Sequence, residues 1–578
     1  MNNKLSIIIA ATVVVIIGII VAVVVSGGGE TDPGPEPDRS SGFNSISDGA
    51  ASLTETDAAS MLENAVGKVK ITSKAPSKAA ISFDEIDAAV ELPPIDNAYP
   101  VVVEPSRKDI VIEVWTSPEK GGTGVESWMR DMAEEFNNAD QSVNGRSVGV
   151  RLRSISSGTQ LDYIIPSVAV PDAISPSASL WADMLQSEGI RTECINPRIV
   201  GNVAGVLISN STMDTLAETY GKADIKAIVS ATEAGTITAG YTNPFASTSG
   251  LNFLAATLYN YDSTNPLSET AVNGFNAFQY NVPFVAFNTM QMRDAAERNT
   301  FTSMILEYQT YYNTPDLKNN YEFIPYGVRH DNPLYTIGNL NEERKDAVKL
   351  FNDYCMTDKA QQAAASYGFN QLDDYVSDMP ATDGKTWIQI QKLWKKQKNA
   401  AKPIAAVFVL DTSGSMAGEP LKLLKNSLTN SLRYINSDNY IGVISYGTDV
   451  NVDLSIAQFD INHQSYFQGA VDGLMANGTT ATYSAVAKAV QMLNEFMETN
   501  ADVQPMIFLL SDGQSNGKAS YDSISPALKY YQIPVYTIGY NESIPELETI
   551  AELNEAACIN ATTDDVIYKL KNLFNANL

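Results

Sequence analysis

The sequence predicts an α/β protein with two folded units behind an apolar N-terminal helix. Short apolar segments typical of buried strands alternate with amphipathic helical patterns in two long stretches, 108–398 and 401–578. A nearly uninterrupted apolar run occupies residues 5–25. With 578 residues, the chain is long enough to form at least two large hydrophobic cores.

The apolar run from Leu5 to Val25 contains only Ser6 and Thr12 as polar residues. As a helix it would extend roughly 30 Å, enough to cross the core of a bilayer. We therefore predict a single-pass transmembrane signal anchor at the cell membrane, with a cleaved signal peptide as the alternative. Lys4 precedes the run and acidic residues follow it, so the bulk of the chain is expected to be extracytoplasmic.

Residues 26–107 are predicted to form a stalk and an extended segment. Glycine, proline and acidic residues dominate the stretch from Gly27 to Asp38, which cannot bury enough apolar surface to order itself. The stretch from Ala58 to Val66 is compatible with a short helix. We assign no independent domain before residue 108.

The first folded unit is predicted to span residues 108–398 and to contain mainly parallel strands. Asp109–Trp115 and Ser147–Arg153 are predicted strands, and Val125–Asn137 is a predicted helix with large apolar residues at intervals of four. Another helix is expected from Gly158, followed by a strand that ends at Ser209. The length of this unit suits two lobes with a cleft between them.

Hydroxyl-bearing residues stand before predicted helices at two points in this unit, in Ser156-Ser-Gly-Thr159 and in Ser247-Thr-Ser-Gly250. Free N–H groups at helix starts favour an anion, so these segments suit a small solute that carries an oxyanion or a carboxylate. The alternative is that both are helix caps and nothing more. The candidate cleft residues are Trp115, Ser117, Ser156, Ser157, Thr159, Ser175, Ser177, Tyr241 and Ser249.

The second unit, 401–578, opens with the apolar stretch Ile404–Leu410, which is followed directly by Asp411-Thr-Ser-Gly-Ser415. The carboxylate of Asp411 and the hydroxyls of Ser413 and Ser415 therefore emerge together at the carboxyl end of a buried strand. Three hard oxygen ligands at alternate positions suit a hard divalent cation. A simple turn with an N-cap for the next helix is the alternative interpretation.

Two later segments strengthen the metal interpretation. The turn Asn477–Thr480 precedes a helical pattern, and the predicted strand Pro505–Ser511 ends in Asp512. With these motifs in this order, the second unit resembles the von Willebrand factor A domain and its metal-ion-dependent adhesion site. That resemblance implies a doubly wound, Rossmann-like fold.

The resemblance also implies a cofactor and a partner. It predicts Mg²⁺, or Mn²⁺ or Ca²⁺, with one coordination position left open for an acidic side chain of a protein ligand. Thr479 is the rival of Thr480, whose distance from the following helical segment fits the family's turn better. The implied metal ligands are Asp411, Ser413, Ser415, Thr480 and Asp512.

The first unit carries weaker family signals in Val114–Lys120, which precedes a helix containing Trp128, and in Pro171–Trp181 and Gly240–Phe253. In these segments it resembles bacterial extracellular solute-binding proteins. The resemblance implies a two-lobed, periplasmic-binding-protein-like domain.

Composition excludes some function classes. A formal net charge of −28 disfavours nucleic acid, because binding a phosphate backbone requires clustered Lys and Arg. The run Lys395–Lys398 is predicted to be a solvated helix end. Only His330 and His463 are available as histidine bases, and His463 is expected on the solvated surface. Because no GxSxG, HExxH or Walker motif occurs either, we predict a binding protein and not an enzyme.

Two functional hypotheses follow. The first is a membrane-anchored extracytoplasmic binding or adhesion protein that engages a protein partner through the cation site, with the cleft as a second recognition unit. The alternative is a solute receptor of a transporter or sensor whose A domain docks to membrane machinery.

Overall fold

The computed structural model describes residues 53–81, 92–282, 284–286, 292, 302–399, 402–540, 544–553, 558–561 and 566–578. The predicted anchor, residues 5–25, and residues 26–52 of the predicted stalk lie outside this part of the chain. Within the described residues, no helix has the length and apolar character needed to span a membrane. The same residues form three β-sheets flanked by helices.

The described chain begins with a helix and a strand that belong to the C-terminal unit. Helix α1 (Glu55–Val66) starts at a capping box, in which the Thr54 hydroxyl accepts from the Asp57 N–H and the Asp57 carboxylate accepts from the Thr54 N–H. Strand β1 (Ile71–Ser73) pairs in parallel with the strand Val450–Gln458. This part of the predicted stalk is therefore folded, because α1 buries an apolar face against the C-terminal core.

The middle region contains the following strands: β2 (Val101–Val103), β3 (Ile110–Thr116), β4 (Ser142–Val143), β5 (Arg146–Ser154), β6 (Ala173–Ser175), β7 (Thr192–Asn196), β8 (Ala204–Ser209), β9 (Ala239–Thr242), β10 (Phe284–Ala286), β11 (Ser303–Glu307), β12 (Tyr321–Pro325) and β13 (Leu334–Ile337). Its helices are α2 (Ile95–Ala98), α3 (Pro118–Gly121), α4 (Trp128–Asn138), α5 (Ser157–Ile164), α6 (Leu180–Ser187), α7 (Asn210–Tyr220), α8 (Ile225–Glu233), α9 (Thr248–Tyr261), α10 (Glu269–Tyr280), α11 (Tyr308–Asn313), α12 (Pro315–Asn320), α13 (Glu342–Cys355), α14 (Asp358–Ser366) and α15 (Gly384–Gln397).

Two sheets divide this region into two lobes. The strand order is β2-β5-β3-β6-β13-β7 in the first lobe and β10-β9-β11-β8-β12 in the second. Among the described strands of this region, parallel pairing is confined to β5-β3-β6 and to β10-β9-β11. The prediction of mainly parallel strands is thus only partly correct, because β8 and β13, where the chain passes between the lobes, run antiparallel to their neighbours.

The C-terminal unit contains the strands β14 (Ile404–Asp411), β15 (Tyr440–Tyr446), β16 (Val450–Gln458), β17 (Gln504–Ser511), β18 (Val535–Tyr540) and β19 (Cys558–Ala561). Its helices are α16 (Glu419–Ser431), α17 (Ile461–Asp472), α18 (Thr482–Met497), α19 (Tyr521–Tyr531), α20 (Pro545–Leu553) and α21 (Val566–Asn577). The sheet order is β1-β16-β15-β14-β17-β18-β19, and only the β15–β16 pair is antiparallel among these described strands.

Strand β14 shows why this sheet is covered on both faces. Every residue of the strand is buried, and successive side chains enter different cores. Phe408 packs in the core with α16, α17 and α21, whereas Val407 and Val409 pack in the core with α1, α18 and α19. The predicted doubly wound α/β arrangement is confirmed for this unit.

Helix α15 joins the two units. Trp394 of this helix is buried in the core of the lobed region, where its Nε1 donates to the Tyr241 hydroxyl at 2.6 Å. Near the end of the helix, Lys395 Nζ donates to the carbonyl oxygens of Tyr434 and Phe574 in the C-terminal unit. The prediction of a solvated lysine run is therefore wrong for Lys395, and also for Lys398, which is 5 % exposed.

Candidate functional site

The predicted metal ligands gather where two neighbouring strands end. Strands β14 and β17 are parallel and in register, with Leu410 opposite Leu510. Asp411, the last residue of β14, and Asp512, which follows β17, therefore emerge beside each other. This is the carboxyl edge of the sheet, where ligand sites of open α/β folds form.

Asp411 is completely buried, and its carboxylate is held by neutral donors. The Ser413 N–H donates to Oδ1 at 2.8 Å. The Ser511 hydroxyl donates to Oδ2 at 2.5 Å, and the Tyr446 hydroxyl lies 3.4 Å from the same oxygen. The carboxylate is thus fixed in one orientation at the strand end.

A chain of hydroxyl groups connects this turn to the second carboxylate. The Oγ atoms of Ser413 and Ser415 are 3.0 Å apart, and the Ser415 hydroxyl donates to Asp512 Oδ1 at 2.9 Å. A short 3-10 turn over Gly414–Met416 places both serines on one side. Ser413 is buried and Ser415 is exposed, so the site reaches the protein surface.

Thr480 joins the site through the backbone of its loop. The Asn477 N–H donates to the Thr412 carbonyl at 2.7 Å, and the Gly414 N–H donates to the Gly478 carbonyl at 3.0 Å. The Thr480 N–H donates to Asn516 Oδ1 at 2.7 Å. The structure therefore links four predicted ligands by side-chain hydrogen bonds and positions the fifth, Thr480, in a loop tied to the same turn.

The electrostatics of this site fit a cation. Burial is the main cause that raises the pKa of the Asp411 carboxyl, and the charge of Asp512 adds to the rise, whereas hydrogen bonds from Ser511 and Ser413 lower it. In the described part of the chain, no Lys or Arg forms an ion pair with Asp411 or Asp512. The described residues contain no group of three or more His, Cys, Asp or Glu side chains that could hold a metal ion. Serine and threonine oxygens would therefore have to complete the ligand set. Two carboxylates with hydroxyl oxygens suit a hard divalent ion.

Sequence reasoning missed the residues that orient the metal ligands. Ser511 and Tyr446 hold Asp411, and Asn516 holds the Thr480 loop. Ser511 carried the only available signal, because it ends a buried strand directly before Asp512. Tyr446 and Asn516 are far from Asp411 and Thr480 in sequence, and no local pattern marks them.

The second candidate site is the cleft between the lobes, which contains a cavity of about 40 Å³. The residues that line it are Ser117, Pro118, Glu119, Ser156, Ser157, Ser177, Ala246, Ser247, Thr248 and Glu307. Four of the predicted cleft residues, Ser117, Ser156, Ser157 and Ser177, are thus on its wall.

The remaining predicted cleft residues lie elsewhere. Tyr241 is a core residue whose hydroxyl donates to Gln279. Trp115 faces a separate surface groove and donates to Glu113 at 2.8 Å. Thr159 and Ser175 are buried beside the cavity without lining it. Each of these residues lies in a strand or a helix, whose side chains can face either the cleft or another part of the protein. Only the packing of distant elements decides which of the two they face.

Ser249 does not line the cavity either, but it forms a hydrogen bond with Glu307, which does. Its hydroxyl donates to Glu307 Oε1 at 3.1 Å, and the Asn202 amide donates to Glu307 Oε2 at 2.8 Å. On the opposite lobe, the hydroxyls of Ser117 and Ser177 both donate to Glu119. Burial, and next the charge of Glu307, raise the pKa of the Glu119 carboxyl.

Neither Glu119 nor Glu307 is among the cleft residues predicted from the sequence, because that prediction rests mainly on hydroxyl groups. The two helix starts also differ from each other. Ser247 caps α9 by accepting from the Gly250 N–H at 3.4 Å, whereas Ser156 makes no capping bond to α5. Instead, the Gly158 N–H of α5 donates to the Ala246 carbonyl of the other lobe at 3.2 Å. The lobes are in direct contact here.

Both histidines are buried. His463 Nε2 lies 2.7 Å from the Ile441 carbonyl oxygen, so the prediction of a solvated His463 is wrong. The residue is buried because α17 packs it against the sheet. His330 Nδ1 lies 3.2 Å from Glu307 Oε1.

Comparison with known proteins follows the same division. The model of the von Willebrand factor type A domain matches residues 406–576, and that of the bacterial extracellular solute-binding protein matches residues 121–370. The voltage-dependent calcium channel subunit alpha-2/delta-2 of Homo sapiens is 28% identical over 144 residues, which are 24% of this chain and 12% of that protein. Inter-alpha-trypsin inhibitor heavy chain H3 of Bos taurus is 26% identical over 151 residues, 25% of this chain and 17% of that protein. The chain thus matches less than a fifth of the length of either relative.

Solved structures similar to parts of the chain include both types of domain. The periplasmic binding protein AfuA from Actinobacillus pleuropneumoniae has 13% identity and a TM-score of 0.39, covering 51% of this chain and 100% of that one. A von Willebrand factor type A protein from Catenulispora acidiphila has 17% identity and a TM-score of 0.28, covering 30% of this chain and 42% of that one. The family models show that this chain contains a bacterial extracellular solute-binding domain over residues 121–370, followed by a von Willebrand factor type A domain over residues 406–576.

Proposed function

We propose that this protein is a membrane-anchored, extracytoplasmic binding protein that engages a protein partner through a divalent cation at Asp411. The supporting observation is the series of contacts from buried Asp411 through Ser413 and Ser415 to Asp512, which no cationic side chain neutralises within the described residues. The solute-binding family supports an extracytoplasmic location. Residues 5–25 would provide the anchor.

The residues around the site would perform different tasks. Ser511 and Tyr446 orient the Asp411 carboxylate, while the exposed position of Ser415 leaves the site open to a partner. A bound Mg²⁺, Mn²⁺ or Ca²⁺ would offer a free coordination position to an acidic side chain of that partner. Because both histidines are buried and bonded away from the carboxylates of this site, the proposed role is binding and not catalysis.

A magnesium titration of the full-length protein tests the site. We expect Mg²⁺ to raise the unfolding temperature of the wild type but not of Asp411→Ala, which lacks the buried carboxylate. Asp502→Ala removes an exposed aspartate of the same domain and should respond like the wild type. Equal stabilisation of the wild type and Asp411→Ala by metal would contradict the proposed site.

One observation favours the alternative of a solute receptor, namely the cavity between the two lobes. In that case the ligand of the cleft is primary, and the von Willebrand domain docks to a membrane partner. A small molecule that stabilises the wild type and Asp411→Ala equally would support this alternative, provided that partner binding is also indifferent to a chelator.

A further inference from the structure

The cavity between the lobes is small, and serine, threonine and glutamate side chains make up most of its lining. Its volume of about 40 Å³ limits the occupant to a small group or a few water molecules. Glu119 reaches it from helix α3 of the first lobe, and Glu307 reaches it from the end of β11 in the second. Glu307 is buried and Glu119 is half-buried, so the two carboxylates are partly shielded from bulk water.

Several of the groups expected to bind an oxyanion are already engaged within the protein. Ser117 and Ser177 donate their hydroxyls to Glu119. The Ser157 hydroxyl accepts from the Ser177 N–H at 3.1 Å, and the Gly158 N–H donates to the opposite lobe. The carboxylate that lies beside the start of α5 belongs to Glu119 of the protein itself and not to a ligand. An added anion would be repelled by Glu119 and Glu307.

The neighbouring cation only partly balances these charges. Lys120 is fully buried, and its Nζ donates to the Ser117 hydroxyl at 2.5 Å and to the Ser175 carbonyl at 2.7 Å. Burial lowers the pKa of Lys120 to about 8, so the amine is still mainly protonated at neutral pH. One lysine therefore faces two carboxylates.

His330 contacts Glu307 from the second lobe, with its Nδ1 3.2 Å from Glu307 Oε1. Its Nε2 lies 3.4 Å from the side-chain nitrogen of Asn252, whose amide oxygen accepts from the Val328 N–H. With both carboxyls ionised, Lys120 balances only one of the two negative charges, and burial together with the charge of Glu307 opposes this state by raising the pKa of Glu119. Burial of such an uncompensated charge is unfavourable.

We propose that the cleft binds the protonated amine of a small solute between Glu119 and Glu307, and not an oxyanion. This proposal rests on the role of the cleft domain as a recognition unit. An ammonium group carries the missing positive charge and donates hydrogen bonds to carboxylates and hydroxyl oxygens, which are the groups that the cavity presents.

Ammonium is the minimal probe, and potassium is its matched control, since it has the same charge but no N–H donors. Binding of ammonium chloride, potassium chloride and sodium sulfate is measured by calorimetry at constant ionic strength and pH 7. The protein is the full-length Asp411→Ala variant, so that the von Willebrand site does not contribute. We expect one ammonium ion to bind, with no binding of potassium or sulfate.

Substitutions locate the binding. Glu119→Gln and Glu307→Gln should each weaken ammonium binding at least tenfold, whereas Glu188→Gln removes an exposed carboxylate of the first lobe and should not change it. Unfolding curves of the variants show that they remain folded.

Four results would overturn the proposal: no ammonium binding, equal affinity for potassium, binding of sulfate, or unchanged ammonium affinity in both cleft variants. Sulfate binding would preserve the cleft as a recognition site while changing its ligand class. The magnesium site is tested separately by comparing the wild type with Asp411→Ala, so the two failures are distinguishable.

Discussion

The von Willebrand site and the cleft each place two carboxylates near hydroxyl groups, but they assemble them differently. Asp411 ends one strand and Asp512 follows the adjacent strand of the same sheet, so the register of β14 and β17 brings them together. Glu119 and Glu307 come from different lobes and meet only where the lobes touch. The first site is therefore preformed by one domain, whereas the second exists only in the closed cleft.

Charge separates the two sites as well. The cleft has an internal lysine that offsets part of its negative charge, but in the described structure neither carboxylate of the von Willebrand site forms an ion pair. The von Willebrand site reaches the surface at Ser415, whereas the cleft forms a small cavity between two lobes. The von Willebrand site is formed within one domain, is exposed and has no ion pair to balance its carboxylates, which suits a cation shared with a partner. The cleft lies between two lobes and its charge is partly balanced by a lysine, which suits a small solute.

The strongest test of this contrast is a pair of glycine substitutions. A Cβ atom at Gly158 would lie 1.9 Å from the Phe245 carbonyl oxygen of the opposite lobe, whereas one at Gly513 would meet nothing closer than Ser415 Oγ at 4.0 Å. We expect Gly158→Ala to reduce the free energy of unfolding by about 1–3 kcal/mol, although alanine is the better helix former. Gly513→Ala should change it by less than about 0.5 kcal/mol.

Thermal unfolding of the full-length variants measures both effects, and small-angle scattering shows whether Gly158→Ala separates the lobes. A stability gain for Gly158→Ala would contradict the closed contact and thereby the distinction between the two sites.

Removing the donor to Asp411 tests how firmly the von Willebrand site is preformed. Ser511→Ala deletes the hydroxyl that donates to Oδ2 at 2.5 Å and leaves a buried carboxylate short of one hydrogen bond. We expect a loss of about 1–2 kcal/mol in the free energy of unfolding without metal. Chemical denaturation measures it, with the exposed Ser437→Ala as the matched control. An effect no larger than that of the control would mean that Asp411 does not depend on this donor.

The pH dependence of the free energy of unfolding tests the protonation of Glu119 in the cleft. Because burial raises the pKa of Glu119 above its ordinary value of 4.5, the native state binds this proton more tightly than the unfolded chain. The stabilisation is complete below about pH 4.5 and is lost as the pH rises through the native pKa. Glu307 and Lys120 face the same carboxyl and shape this change, and His330 contacts Glu307.

Glu119→Gln should remove that loss, because glutamine stays neutral, whereas Glu188→Gln should retain it. Unfolding temperatures from pH 4.5 to 7.5, measured with Mg²⁺ present to hold Asp411 ionised, give the comparison. Parallel curves for the wild type and Glu119→Gln would show that Glu119 does not titrate in this range.

The smallest expected effect concerns the contact between the two domains. The Tyr568 hydroxyl of α21 lies 3.1 Å from Asp162 Oδ2 on α5, the helix whose first turn lines the cleft. Tyr568→Phe should cost about 0.5–1.5 kcal/mol and leave Mg²⁺ affinity unchanged, because the von Willebrand site is assembled within its own sheet. Magnesium titration checks this, and a tenfold change in affinity would show that the two sites are coupled.

Prediction from sequence is most successful where the residues that form a site are close together in the chain. The strand Ile404–Leu410 and the ligands that follow it are contiguous, so their joint position follows from strand geometry. In the lobed domain, helices and strands were predicted near their observed places, but Tyr241 and Trp115 were assigned to the cleft and pack elsewhere. A strand end offers two faces, and only the neighbouring elements decide which one meets a ligand.

By itself the sequence determined the α/β class, the order of the two domains and the motif at Asp411, because short-range periodicity and contiguous ligands encode them. Only the tertiary structure decided that α1 and β1 complete the von Willebrand sheet and that Glu119 and Glu307 share one cavity. Both outcomes join residues distant in the chain. Their cause is the burial of apolar faces and the closure of two lobes, which no local pattern records.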